Sequence, residues 1–182
     1  MTQAPPTPLA KLRKPRQFSQ AELESRFPID CTIIARTREV RVNPAWERKQ
    51  LVKVRFPDTF AIHTAFWMHR DAAPHFEQWF AAIEREKLQK HIATFNGSYV
   101  PRLKRGDKVP ATTYGLSRHS RGLAIDINAG WNAMGTAGAA LGEIGCVLPL
   151  VPLANACGIV AGADWHGALQ DNMHWELGTF DE

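Results

Sequence analysis

The chain has 182 residues, 45% hydrophobic and 22% charged, enough for one domain with a real core and short for two. Its net charge of +4 lies entirely at the start: residues 1–20 hold Lys11, Arg13, Lys14 and Arg16 without an acid, and the remainder balances 18 basic against 18 acidic residues. A neutral body excludes the broad basic face of a nucleic-acid binder. Three scattered cysteines, Cys31, Cys146 and Cys157, exclude a disulfide framework and read as buried free thiols.

Residues 1–18 read as a disordered basic tail, since Pro5, Pro6, Pro8 and Pro15 oppose regular structure. Residues 19–182 read as a single domain. The start lacks the apolar segment of a signal peptide, and no 18-residue apolar run occurs. A protein made in the cytoplasm without a membrane span is therefore expected; action on a cell wall would require release or specialised delivery.

"SQAELESRF" predicts a short helix opened by a capping box of Ser19 and Glu22. "CTIIARTREVRV" and "QLVKVRF", rich in β-branched residues and separated by Asn43-Pro44, predict a pair of strands. "DAAPHFEQWFAAIEREKLQKH" predicts the clearest helix, with Asp71 as its cap, Pro74 in its first turn and Phe76, Phe80 and Ile83 at three-to-four spacing. "IATFNGSYVPRL" reads as a strand, a turn at Asn96-Gly97 and a second extended piece, and "RGDKVPATTYG" as a loop. "GLAIDIN" is a strand, "NAMGTAGAALGEIG" a small-residue loop, "PLVPLANAC" a helix stopped by Gly158, and "MHWEL" a final strand. Mixed helices and hairpin-like strands give an α+β fold: a small central antiparallel sheet with flanking helices.

The chemistry concentrates in "LSRHSRGLAIDIN". His119 and Asp126 are seven apart, so along an unbroken strand they would face opposite sides. Gly122 permits the bend that brings both to one ion. Asp126 then shares a face with the small Ala124, while Leu123, Ile125 and Ile127 line the other. In "DNMHWEL", Met173, Trp175 and Leu177 form an apolar face, and His174 and Glu176 a polar one, with Asp171 three residues before His174. Two imidazoles and a carboxylate are a common ligand set for catalytic zinc, leaving one position for water. Each piece alone also fits an ordinary surface residue. His63, His69, His75 and His91 are expected on helix or strand surfaces, and no HExxH signature occurs.

The pattern Ser117-x-His119-x-x-Gly122-x-Ala124-x-Asp126, followed by Asp171-x-x-His174, resembles the D-alanyl-D-alanine carboxypeptidase family. That family includes the vancomycin-resistance D,D-dipeptidases and carboxypeptidases and the L-alanyl-D-glutamate peptidases of phage endolysins. The resemblance spans about residues 95–178 and leaves the first ninety outside it. It implies a hedgehog-like fold with the zinc site on the sheet, and one Zn²⁺ held by His119, Asp126 and His174. It also implies that Asp171 is the catalytic acid–base and that an arginine lies beside the scissile carbonyl. Arg102 is the first choice for that arginine and Arg105 the second, because Val100, not an arginine, follows Tyr99.

Tyr99, Arg105, Ser117 and His166 are candidate substrate contacts, Ser117 as an orienting group, since no GxSxG elbow surrounds it. Glu176 stands where lysostaphin-type enzymes carry the second histidine of His-x-His, which disfavours that branch. The implied activity is hydrolysis of peptidoglycan stem peptides through a zinc-activated water, either removing a terminal D-alanine or cutting an internal L-Ala–D-Glu bond. A phage endolysin, a virion-associated cell-wall hydrolase and an exported bacterial enzyme all fit, acting as a monomer on peptidoglycan and not on nucleic acid. The alternative is a non-catalytic module that binds cell-wall peptide on the same fold.

Overall fold

Arg16–Gln17 form a short strand, β1, that pairs antiparallel with residues near the other end of the chain, in the computed structural model describing residues 13–105 and 108–181. The expected tail therefore ends sooner than residue 18: Phe18 is already buried. Residues 1–12 of that tail, and Gly106 and Asp107 of the expected loop, lie outside the described residues. Helix α1 (Gln20–Arg26) opens with the predicted capping box. The Ser19 hydroxyl accepts from the Glu22 amide at 3.2 Å, and the Glu22 carboxylate accepts from the Ser19 amide at 2.7 Å.

The next segment departs from expectation. Cys31–Ile34 (β2) and Glu39–Val42 (β3) are two arms of one hairpin. Asn43-Pro44 does not merely separate strands. The Asn43 side chain accepts from the Ala45 amide at 2.9 Å and opens helix α2 (Pro44–Gln50), with proline in its first turn. β4 (Leu51–Arg55) then pairs with β5 (Ala65–His69), not with the hairpin.

Helix α3 (Ala73–Arg85) carries Phe76, Trp79, Phe80 and Ile83 on its buried face, as the spacing predicts. Asp71 does not cap it; Ala72 holds that position, and the Asp71 amide instead donates to His69 Nδ1 at 3.2 Å. His69 also departs from its expected surface place, being buried edge-on against Phe27.

The main sheet comprises β1, β6 (Phe95–Gly97), β7 (Ala124–Ile127), β8 (Ile159–Ala161) and β9 (His174–Thr179), all paired antiparallel. Between β7 and β8 lies helix α4 (Val151–Ala156), ahead of Gly158 at φ +76°. Asn96-Gly97 is a bulge in β6 rather than a turn. Trp175 and Glu176 pair with both β7 and β8, so β9 is central. Leu123, Ile125 and Ile127 are wholly buried on the face toward α3, where the Trp175 and Trp79 rings lie 4.6 Å apart. Each such large side chain removed from water contributes about 1.5–3 kcal/mol. One face of the sheet is thus fixed by packing, and the alternate residues of β7 and β9 must point the other way.

Candidate metal centre

His119 sits in a one-turn 3-10 helix (Arg118–Arg121) just before β7. Ser117 opens that turn, its hydroxyl accepting from the His119 amide at 3.3 Å. Gly122 closes it at φ +67°, in the left-handed region. A side chain there would also collide with the backbone: an added Cβ would lie 2.7 Å from the His69 nitrogen, whose amide donates to the Gly122 carbonyl at 2.8 Å. The bend required by the seven-residue spacing is therefore made at the predicted residue.

Asp126 and His174 are register partners on β7 and β9. Asp126 Oδ1 lies 3.3 Å from His119 Nε2 and 3.2 Å from His174 Nδ1, and those two nitrogens are 3.2 Å apart. The ring protons are committed elsewhere. His119 Nδ1 lies 2.7 Å from the Ser98 carbonyl, which can only accept, so the proton is on Nδ1. His174 Nε2 lies 2.9 Å from the Glu176 carboxylate, which places its proton on Nε2. With both rings neutral, two imidazole lone pairs and a carboxylate oxygen converge without a donor among them. Such a set fits a cation, and the three ligand atoms lie within 4.8 Å of one another.

The electrostatics agree with that geometry. Burial opposes charge on Asp126, yet the adjacent His119 and His174 rings hold its carboxyl well below the usual range. Burial likewise works against a charged His174, but Asp126 and Glu176 outweigh it and push its pKa up to about 9. The site thus draws positive charge in from either a proton or a metal.

The trio opens on a cavity of about 400 Å³. Ser117, Arg102, Lys104, Arg105 and Asp171 line it together with the apolar Met134 and Trp165. Burial, helped by the like charge of Asp126, lifts the Asp171 carboxyl above its ordinary value against the pull of His174 and Arg105. Asp171 Oδ1 is buried and has no hydrogen-bond partner among the described residues. Gly162 lets it approach, since a Cβ there would lie 2.1 Å from the Asp171 carbonyl. Burial and the neighbouring Arg105 lower the pKa of Arg102, while Asp126 and Asp171 act in the opposite sense. A guanidinium nevertheless stays charged at neutral pH.

Two expected contacts lie elsewhere. The Tyr99 hydroxyl donates to Glu47 at 2.7 Å and lines a different cavity with Pro44 and Trp67. Tyr99 faces away because Ser98 and Val100 are the residues bound to the His119 turn. His166 is exposed and outside the wall of the metal-site cavity.

Arg118 and Gln17, neither of them a site candidate from the sequence, both line the cavity. Their only sequence signal is position, Arg118 beside His119 and Gln17 at the end of the basic segment. Arg121, in the same turn as His119, has a fully buried side chain that donates to the Phe27 carbonyl at 3.0 Å and pairs with Glu24 of α1.

Residues 111–177 match the family model described as D-alanyl-D-alanine carboxypeptidase. Over this segment the chain is similar to that family. The match contains His119, Asp126, Asp171 and His174 and supports a peptidase. No curated protein and no solved structure matches the chain significantly. Among the described residues, no helix is long and apolar enough to cross a membrane.

Proposed function

We propose that residues 19–182 form a single zinc peptidase domain of the D-alanyl-D-alanine carboxypeptidase type, with a hedgehog-like fold, that hydrolyses peptidoglycan stem peptides. The observation that carries this reading is the convergence of His119 Nε2, Asp126 Oδ1 and His174 Nδ1 on one point. These three residues would hold the metal, which when bound supplies the Lewis acidity that makes water a nucleophile at neutral pH.

The remaining work falls to the cavity wall. Asp171, its carboxyl raised above its ordinary value by burial, takes the proton of the attacking water and returns it to the leaving amine. Its unpartnered oxygen favours that role, since a binding module would have no use for a buried acceptor left open. Arg102 is the group for the developing negative oxygen, a task typically worth about 3 kcal/mol per donor, with Arg105 next to it. Ser117 orients His119 or substrate. An endolysin, a virion-associated hydrolase or an exported bacterial enzyme would each use the site in the same way.

Digestion of purified peptidoglycan with zinc-loaded protein, followed by mass spectrometry, tests the reading. Loss of terminal D-alanine identifies a carboxypeptidase, and new internal termini identify an endopeptidase. Unchanged peptides would sink the proposal in favour of a binding module.

A further inference from the structure

Glu176 is 1% exposed, a costly place for a carboxylate unless its partners need it there. Both oxygens are in use. Oε2 faces His174 Nε2 at 2.9 Å, while Oε1 accepts from Gln17 Nε2 at 3.1 Å and from Arg118 Nε at 3.3 Å. Arg118 is itself anchored, donating through Nη2 to the Phe18 carbonyl at 2.7 Å. Two of these groups come from the N-terminal segment, held beside β9 by the pairing of Arg16 with Thr179 and Gln17 with Gly178. That segment lies outside residues 111–177, the part matched by the family model. Across the strand, Glu176 faces Ala124, whose small side chain leaves the carboxylate room.

We propose that Glu176 is a positioning residue for the metal ligand His174, and that Gln17 of β1, beyond the family segment, holds Glu176 in place. The inference rests on the metal reading of the His119–Asp126–His174 trio. A neutral imidazole has one proton and two nitrogens, so its outer partner decides which nitrogen is free. A carboxylate at Nε2 keeps the proton there, leaves the Nδ1 lone pair aimed at the trio and raises its basicity. A carboxylate able to rotate would do this poorly. Gln17 and Arg118 both grip Oε1, leaving Oε2 as the oxygen that meets the ring. The N-terminal strand is then part of the metal site rather than a tether.

The test is zinc affinity of the full chain, measured by competition with a chromophoric chelator and independent of any peptide substrate. Wild-type protein should bind about one zinc. Glu176→Gln should weaken binding about 10- to 100-fold, and Gln17→Ala a smaller amount, about two- to tenfold, because Gln17 acts only through Glu176 and Arg118 still holds the same oxygen. The double variant should lose no more than Glu176→Gln alone, because Gln17 acts through Glu176. Nitrogen NMR of the zinc-loaded wild type should find the ring proton of His174 on Nε2, a signature that a merely structural role would not require.

Wild-type protein that binds no zinc overturns the metal reading and this inference together. Zinc binding in the wild type, with both variants unchanged or the proton found on Nδ1, overturns this inference alone. Should Glu176→Gln fail to fold, Gln17→Ala decides: unchanged affinity there removes β1 from the site.

Discussion

Asp126 and His174 face one another across adjacent antiparallel strands, with Oδ1 and Nδ1 3.2 Å apart. The backbone ladder sets that distance, so two of the three donors are positioned before any ion arrives. His119 joins from outside the sheet, and its placement depends on the bend at Gly122 and on the Ser98 carbonyl. Preorganisation is therefore unequal among the three candidate ligands.

Metal content follows directly. Purified protein should carry about one zinc per chain by elemental analysis, and His119→Ala or His174→Ala should abolish stoichiometric binding, because two donors do not complete a site. Retention of full zinc in the double variant would refute the ligand set.

Asp171 should separate catalysis from binding. Asp171→Asn should keep zinc and fold while losing at least about 10²-fold in kcat, the lower end of what a positioned acid–base group contributes. Asp126→Asn should lower bound zinc as well as rate, since it removes charge from a ligand. Measuring zinc and peptide hydrolysis for both variants at one pH decides the roles; reversed behaviour would exchange them.

Stability of the chelator-treated protein should fall as pH rises from about 6.5 to about 9. The pKa of His174 is raised from 6.5 to about 9 in the folded chain. Its contribution is complete below the unfolded value and is lost as pH passes through the folded value. Urea midpoints at pH 6 and pH 9.5 measure this, and added zinc should flatten the slope by taking the place of the proton. A midpoint that rises with pH in the chelated protein would contradict the assignment.

Gly122→Ala should destabilise by at least about 2 kcal/mol. A left-handed backbone costs a residue with a Cβ roughly 1–2 kcal/mol, and here the added atom also meets the His69 backbone nitrogen at 2.7 Å. Denaturant unfolding gives the number. A tolerated alanine would mean that the turn relaxes without moving His119, which bound zinc would report in the same sample.

The cysteines should be dispensable for metal. Cys146 is buried, whereas Cys31 and Cys157 are only partly so, correcting the expectation that all three are core thiols. Alanine at each should leave zinc content unchanged, with the largest stability loss at Cys146. Metal loss in any of the three would point to a different ligand set.

The parts of this fold legible in the sequence are those governed by local periodicity. The alternation in 123–127 and 173–177, the capping box at Ser19 and the aromatic spacing of α3 each depend on neighbours along the chain. The parts that were not legible depend on distant partners. Nothing in "QLVKVRF" says that β4 pairs with residues 65–69 rather than with the preceding strands, and Asn43-Pro44 reads equally as a break or as a helix start. Tyr99 looked like a site residue by proximity in sequence, but the carbonyl of Ser98 is what the site uses, and a carbonyl has no sequence signature. Glu176 was visible as a polar-face residue; its burial between His174, Arg118 and Gln17 was not.

The alternation in β9 bears on how the protein can misfold. His174, Trp175 and Glu176 are consecutive, with the indole in the core and its two neighbours on the opposite face. A slip of one residue against β7 would exchange the faces. Trp175 would be driven into the cavity, while an imidazole and a carboxylate entered a hydrocarbon interior against Trp79. Both errors are penalised at once, so the pattern that sets the ligands also proofreads the strand alignment, and the correct register is already enforced in a chain that has never met a metal ion.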